Sequence, residues 1–114
     1  MKLKQIEYFD RKYPVTLDVN VTQAIQKKYG SLDKWGEIMD AEETPVEDVV
    51  WLYREMINEG IEIENDLKGE DRPLIDLKTA ARVISFMGME ESGDTLQELL
   101  EEGVIDEEEE GKNE

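Results

Sequence analysis

Apolar and polar positions alternate at the start of the chain and then change period. Ile6, Tyr8 and Phe9 form one short run, and Tyr13, Val15 and Leu17 alternate with polar neighbours in the next. That is the period of half-buried strands, so the first seventeen residues predict a β-hairpin with Asp10-Arg11-Lys12 as its connection. Pro14 lacks an N–H and assigns its strand to an edge.

Beyond residue 17 the period is helical. Asp18 or Asn20 can cap a first helix, in which Val21, Ala24, Ile25 and Tyr29 share a face and Gly30 supplies the left-handed terminus. Ser31 can cap a second, with Leu32, Trp35, Ile38 and Met39 at helical spacing. A third helix starts at Thr44-Pro-Val-Glu47, which sets an N-cap, a proline at N1 and a glutamate at N3 in register. Its apolar face comprises Val46, Val49, Val50, Leu52, Tyr53, Met56 and Ile57. Gly60 is expected to end or bend it, with Ile61 and Ile63 in a weaker continuation and a polar loop over residues 66–73. Asp76 caps a fourth helix with the stripe Leu77, Ala80, Ala81, Ile84 and Met87, closed by Gly88. Asp94-Thr-Leu-Gln97 opens a fifth, with Leu96, Leu99 and Leu100 inward and Gly103 as its stop. The expected fold is α+β: an N-terminal β-hairpin packed on a bundle of four to five helices.

Charge divides the chain unevenly. The 114 residues carry 13 Lys and Arg against 30 Asp and Glu, a net of −17. Residues 1–34 are net +3, so the remainder holds −20, and twelve acids lie in residues 90–114 against the single base Lys112. Residues 106–114 contain no apolar side chain and repel themselves, which predicts a disordered acidic tail after a single domain spanning residues 1–105. A chain this acidic disfavours nucleic acid and anionic membrane surfaces as partners, and no apolar run approaches the ~20 residues a bilayer span needs.

With no histidine and no cysteine, the commonest general base, the best nucleophile and the usual transition-metal ligands are missing. Glu62, Glu64, Asp66, Glu70 and Asp71 crowd one stretch, but their spacing fails the calcium-loop pattern and reads as a solvated acidic loop. Phosphate-cradling glycine motifs are absent. Ser31-Leu-Asp-Lys34 matches S-x-x-K literally, yet Ser31 is better used as a helix cap. The expectation is a non-catalytic protein without cofactor or metal.

Exposed apolar residues are then the informative ones. At 100° per residue Trp51 lies opposite the centre of its helix's apolar face, among Glu47, Asp48, Arg54 and Glu55. Phe86 likewise falls off its own stripe. Either a second packing layer covers them or they anchor a partner, as large aromatics do in binding hot spots. Trp51 and Phe86 are the candidate partner-binding residues; Trp35 lies on an apolar stripe and is assigned to the core.

The hairpin ending Tyr13-Pro-Val-Thr-Leu-Asp18, the helix ending Ile25-Gln-Lys-Lys-Tyr-Gly-Ser31 and the following Leu32-Asp-Lys-Trp-Gly-Glu37 carry a resemblance. With the Met-Ile-Asn-Glu-Gly60 segment and the acidic C-terminal stretch, they resemble the small tail assembly chaperones of long-tailed (siphovirus-type) phages and prophages of Gram-positive bacteria. The resemblance covers roughly residues 4–102 and is most specific over 13–37. It implies a protein of the bacterial host cytoplasm, absent from the mature virion. Its partner would be the tape-measure protein, kept soluble while tail-tube subunits polymerise around it, with the tail-tube protein as a second partner. The rival reading is an acidic DNA mimic that inhibits a nucleic-acid-binding protein; the net basic N-terminal third and the position of the densest acid run count against it.

Overall fold

The computed structural model describes residues 3–102. The expected tail at 106–114, the domain limit at 105 and the stop at Gly103 lie outside them. Within them the architecture is α+β, an antiparallel hairpin followed by five helices.

Strands β1 (Lys4–Tyr8) and β2 (Arg11–Val15) pair with Tyr8 opposite Arg11, so the connection is Phe9-Asp10 and not Asp10-Arg11-Lys12. Counting the alternating pairs from this two-residue loop places Pro14 at a wide, non-hydrogen-bonded pair with Gln5. Its missing N–H therefore costs the ladder nothing. Ile6, Tyr13 and Val15 face the core.

Helix α1 (Val19–Tyr29) is capped by Asp18, whose carboxylate accepts from the Val21 N–H at 3.1 Å. Asn20 lies inside the helix and donates to Glu59 instead. Gly30 ends it at φ +94°. Helix α2 (Leu32–Asp40) is capped by Ser31 and buries Trp35.

Helix α3 (Val46–Lys68) departs most from expectation. Thr44 does not cap it: its hydroxyl donates to the Met39 carbonyl, and Pro45 stands at the N-cap without a side-chain bond. Val46, expected on the apolar face, is exposed. Gly60 does not end the helix, which runs for 23 residues to the left-handed Gly69. The glycine is required by packing, since a Cβ there would lie 2.6 Å from the Pro14 carbonyl oxygen. Next to it the Thr16 N–H donates to the Met56 carbonyl at 3.3 Å. Glu62, Glu64 and Asp66 consequently sit on a helix and not in a loop.

Helix α4 (Leu77–Met87) is capped by Asp76, which accepts from the Thr79 N–H at 2.8 Å. Its buried stripe is Ala80, Val83 and Ile84; Leu77 is exposed and Ala81 half-buried, a rotation of the expected face. Helix α5 (Met89–Glu102) begins five residues before Asp94. Only Gly88, at φ +92°, separates it from α4. Ser92 and Thr95 are buried in α5 beside Leu96 and Leu99, and the Tyr53 hydroxyl donates to the Ser92 carbonyl.

Candidate partner-binding surface

The hairpin tip is built against the grain of its sequence. Phe9, the first residue of the two-residue turn, has φ +56° and is the only described non-glycine residue with a positive φ. A bulky residue pays sterically for that conformation, which glycine or asparagine would adopt more easily. Phe9 is also 70 % exposed. Its ring nevertheless has neighbours: Phe86 at 4.7 Å between centroids and Tyr8 at 4.8 Å, edge-on. Tyr8 in turn meets Phe86 at 5.8 Å and Tyr13 at 6.1 Å. An aromatic ridge thus runs from half-exposed Phe86 on α4, over the tip, to buried Tyr13.

A cavity flanks each side of this ridge. One of about 260 Å³ lies between β1 and the α4–α5 corner and is lined by Lys4, Ile6, Glu7, Phe86, Met87 and Glu91 among others. Lys4 is held there by Glu98, whose hydrogen bond keeps its ammonium pKa above the ordinary lysine value. The other, of about 370 Å³, lies between β2 and the segment entering α4, with Arg11, Tyr13, Arg72, Ile75, Asp76 and Thr79 in its wall.

The segment that carries Arg72 is strapped to α3 by two asparagines two helical turns apart. Asn65 accepts from the Arg72 N–H at 3.1 Å and donates to its carbonyl at 3.0 Å; Asn58 does the same for Ile75 at 2.8 and 3.1 Å. Each side chain thus satisfies both backbone groups of one loop residue. Arg72 is thereby set over the Tyr13 ring, 4.6 Å from its centroid, with a second bond to the Lys12 carbonyl at 2.8 Å.

A further apolar cavity of about 260 Å³ opens between α2, the start of α3 and α5, lined by Met39, Val49, Met89, Leu96 and Leu100. Gly93 forms part of its floor.

The two sequence-predicted residues are placed apart. Phe86 is 46 % exposed and belongs to the ridge. Trp51 is half-buried on α3: Tyr29 of α1 packs edge-on against it at 5.7 Å, and the Lys28 ammonium lies 5.1 Å over its ring. The Tyr29 hydroxyl is bonded to Asp48, and burial together with that carboxylate raises its pKa above the usual tyrosine range. Trp51 is a partly buried side chain packed against the core, and Tyr29 of α1 lies over part of its ring. Phe9 was readable as an anomaly, because it breaks the two-residue alternation set by Ile6 and Tyr8.

Near the start of α1, a hydrogen bond that the protonated Glu59 carboxyl donates to Asp18, together with partial burial, raises the Glu59 pKa to about 7. Among the described residues no group of three or more acidic side chains is arranged to hold a metal ion, and no helix is long and apolar enough to cross a membrane. Comparison with protein-family models, curated proteins and solved structures returned no match.

Proposed function

We propose that this chain is a non-catalytic tail assembly chaperone that binds a phage tape-measure protein and keeps it soluble in the host cytoplasm while the tail tube assembles. The observation that carries the reading is the Phe9–Phe86 ridge. Two large apolar side chains are left open to solvent, one on a turn whose backbone disfavours it, on a protein with a net charge of −17. Exposed rings offer an aggregation-prone client apolar contacts, while the acidic body repels neighbouring complexes at short range, about 8 Å at physiological salt. The resemblance over residues 13–37 supplies the identity of the client, and the tail-tube protein remains its second proposed partner.

Co-expression with the tape-measure protein tests this. The wild-type chain should keep the client in the soluble fraction, and Phe9→Gly combined with Phe86→Ser should release most of it to the pellet with the chaperone still folded. An unchanged soluble yield would remove the ridge from the binding surface. Binding that collapses with added salt but ignores the ridge variants would instead favour the DNA-mimic reading.

A further inference from the structure

The apolar cavity between α2, the start of α3 and α5 is walled by a helix that the fold only half uses. Ser92, Leu96 and Leu99 of α5 are buried. Met89, Gly93, Leu96 and Leu100, at successive helical turns, line the cavity, and Met89 is 54 % exposed. Gly93 has no internal reason to be glycine. It lies inside a helix, where only proline is a poorer choice, its φ is not positive, and a Cβ there would meet nothing within 4 Å. Gly60 makes room for the Pro14 backbone; the room at Gly93 opens into the cavity. At about 260 Å³, against the ~150 Å³ that accept a benzene ring, the cavity takes one large or two medium apolar side chains.

Charge selects the kind of partner. The segments that build the walls, residues 35–53 and 83–102, contain six acids each and no lysine or arginine. Two of these acids are engaged, Asp48 by Tyr29 and Glu98 by Lys4. Among the described residues Asp40 is the only charged one in the lining. It ends α2, whose carbonyl terminus has no base in its last turn to offset it. The positive start of α3 is offset by its own Glu47 and Asp48. No base on a neighbouring element lines the cavity. Lys27 and Lys28 end α1, and Lys34 lies in the first turn of α2, at the other end from Asp40. Lys4 lines the separate cavity beside β1, Arg54 meets Glu55, and Arg82 of α4 acts on Asp76.

We propose that this groove docks one amphipathic helix of a partner protein, apolar side chains at i and i+3 or i+4 entering the cavity and lysines or arginines along its flanks. Gly93 lets the incoming helix close on α5. Met39 and Met89 let the groove fit side chains of different shape. A second copy of the chain is disfavoured as occupant, since it brings a net charge of −17 to an acidic rim. The site is separate from the aromatic ridge and does not depend on the identity of the client.

A dye-labelled synthetic helix of about 18 residues, leucine on one face and lysine on the other, is the probe, titrated into the full chain and read by anisotropy. It should bind at least about tenfold more tightly than a scrambled peptide of the same composition, and the same helix with glutamate for lysine should not bind. Gly93→Gln should raise the urea midpoint, because glutamine outranks glycine in a helix, yet weaken the probe about tenfold. Gly93→Ala should give a similar gain in midpoint and keep most of the binding. Asp40→Lys should weaken the probe about threefold. Equal binding of the scrambled or glutamate peptide, or wild-type binding by Gly93→Gln, would overturn the proposal. So would a lowered midpoint in Gly93→Ala, which would make the glycine structural. A dimer of the chain that the probe dissociates would assign the groove to a second copy instead.

Discussion

The two ends of the hairpin meet the helices in opposite ways. At its base, backbone touches backbone: the Pro14 carbonyl rests where Gly60 has no side chain, and the Thr16 N–H bonds across to α3. Val15, Thr16 and Leu17 are buried there. At its tip, only side chains meet, as Phe9 and Tyr8 lean on Phe86 with much of the rings in solvent. At the base, Gly60 leaves no room for even a Cβ, whereas the tip is held by side-chain contacts that can be exchanged. A single small element thus docks rigidly at one end and presents a surface at the other.

The strongest way to break this contrast is to put a side chain into the base. Gly60→Ala gains about 1 kcal/mol in helix propensity. It must nevertheless push the Pro14 backbone away, and a net loss of about 2–3 kcal/mol is expected in urea unfolding. A neutral result would show that the hairpin can shift along α3.

A smaller effect concerns the start of α1, where Asp18 and Glu59 face each other. A carboxyl whose folded pKa is raised from 4.5 to about 7 favours the fold below that range. Stability is lost as pH rises through it, because only the folded state still holds the proton. Unfolding free energy should therefore fall by about 1 kcal/mol between pH 5 and pH 8, after allowing for solvent screening of a half-buried group. Glu59→Gln should abolish that part of the slope while keeping a hydrogen-bonding side chain at the site.

The smallest expected change sharpens the comparison most. In Phe9→Gly the lost ring contacts and the relieved backbone nearly cancel, so stability should stay within about 0.5 kcal/mol of wild type. A large loss would make the tip a structural element like the base.

Features whose causes are local were legible in the sequence. Asp18 or Asn20, Ser31 and Asp76 were readable as caps, and Gly30 and Gly88 as stops, because each bonds or bends within a few residues of itself. Gly60 was misread because its reason lies 46 positions away, at Pro14. Thr44 was misread because Met39 competes for its hydroxyl. Ser92-Gly93-Asp94 has a loop's composition, yet burial of Ser92 and its bond from Tyr53 hold it helical. The exposure of Phe86 followed from a helical wheel, while the ring that completes the ridge did not, since one-residue phase errors are easy at a strand end. The cavities, the asparagine straps and the stacking of Arg72 join residues from different elements and have no local signature.

The two tryptophans differ enough to serve as separate optical reporters. Trp35 is buried, and its indole N–H has no hydrogen-bond partner among the described residues, so its emission should lie toward the blue and move only when the core opens. Trp51 stands half in water beneath a lysine ammonium and should emit further to the red. Its quenching should respond to any partner that displaces Lys28. One unlabelled sample could therefore distinguish global unfolding from a binding event on the α1–α3 face by colour alone.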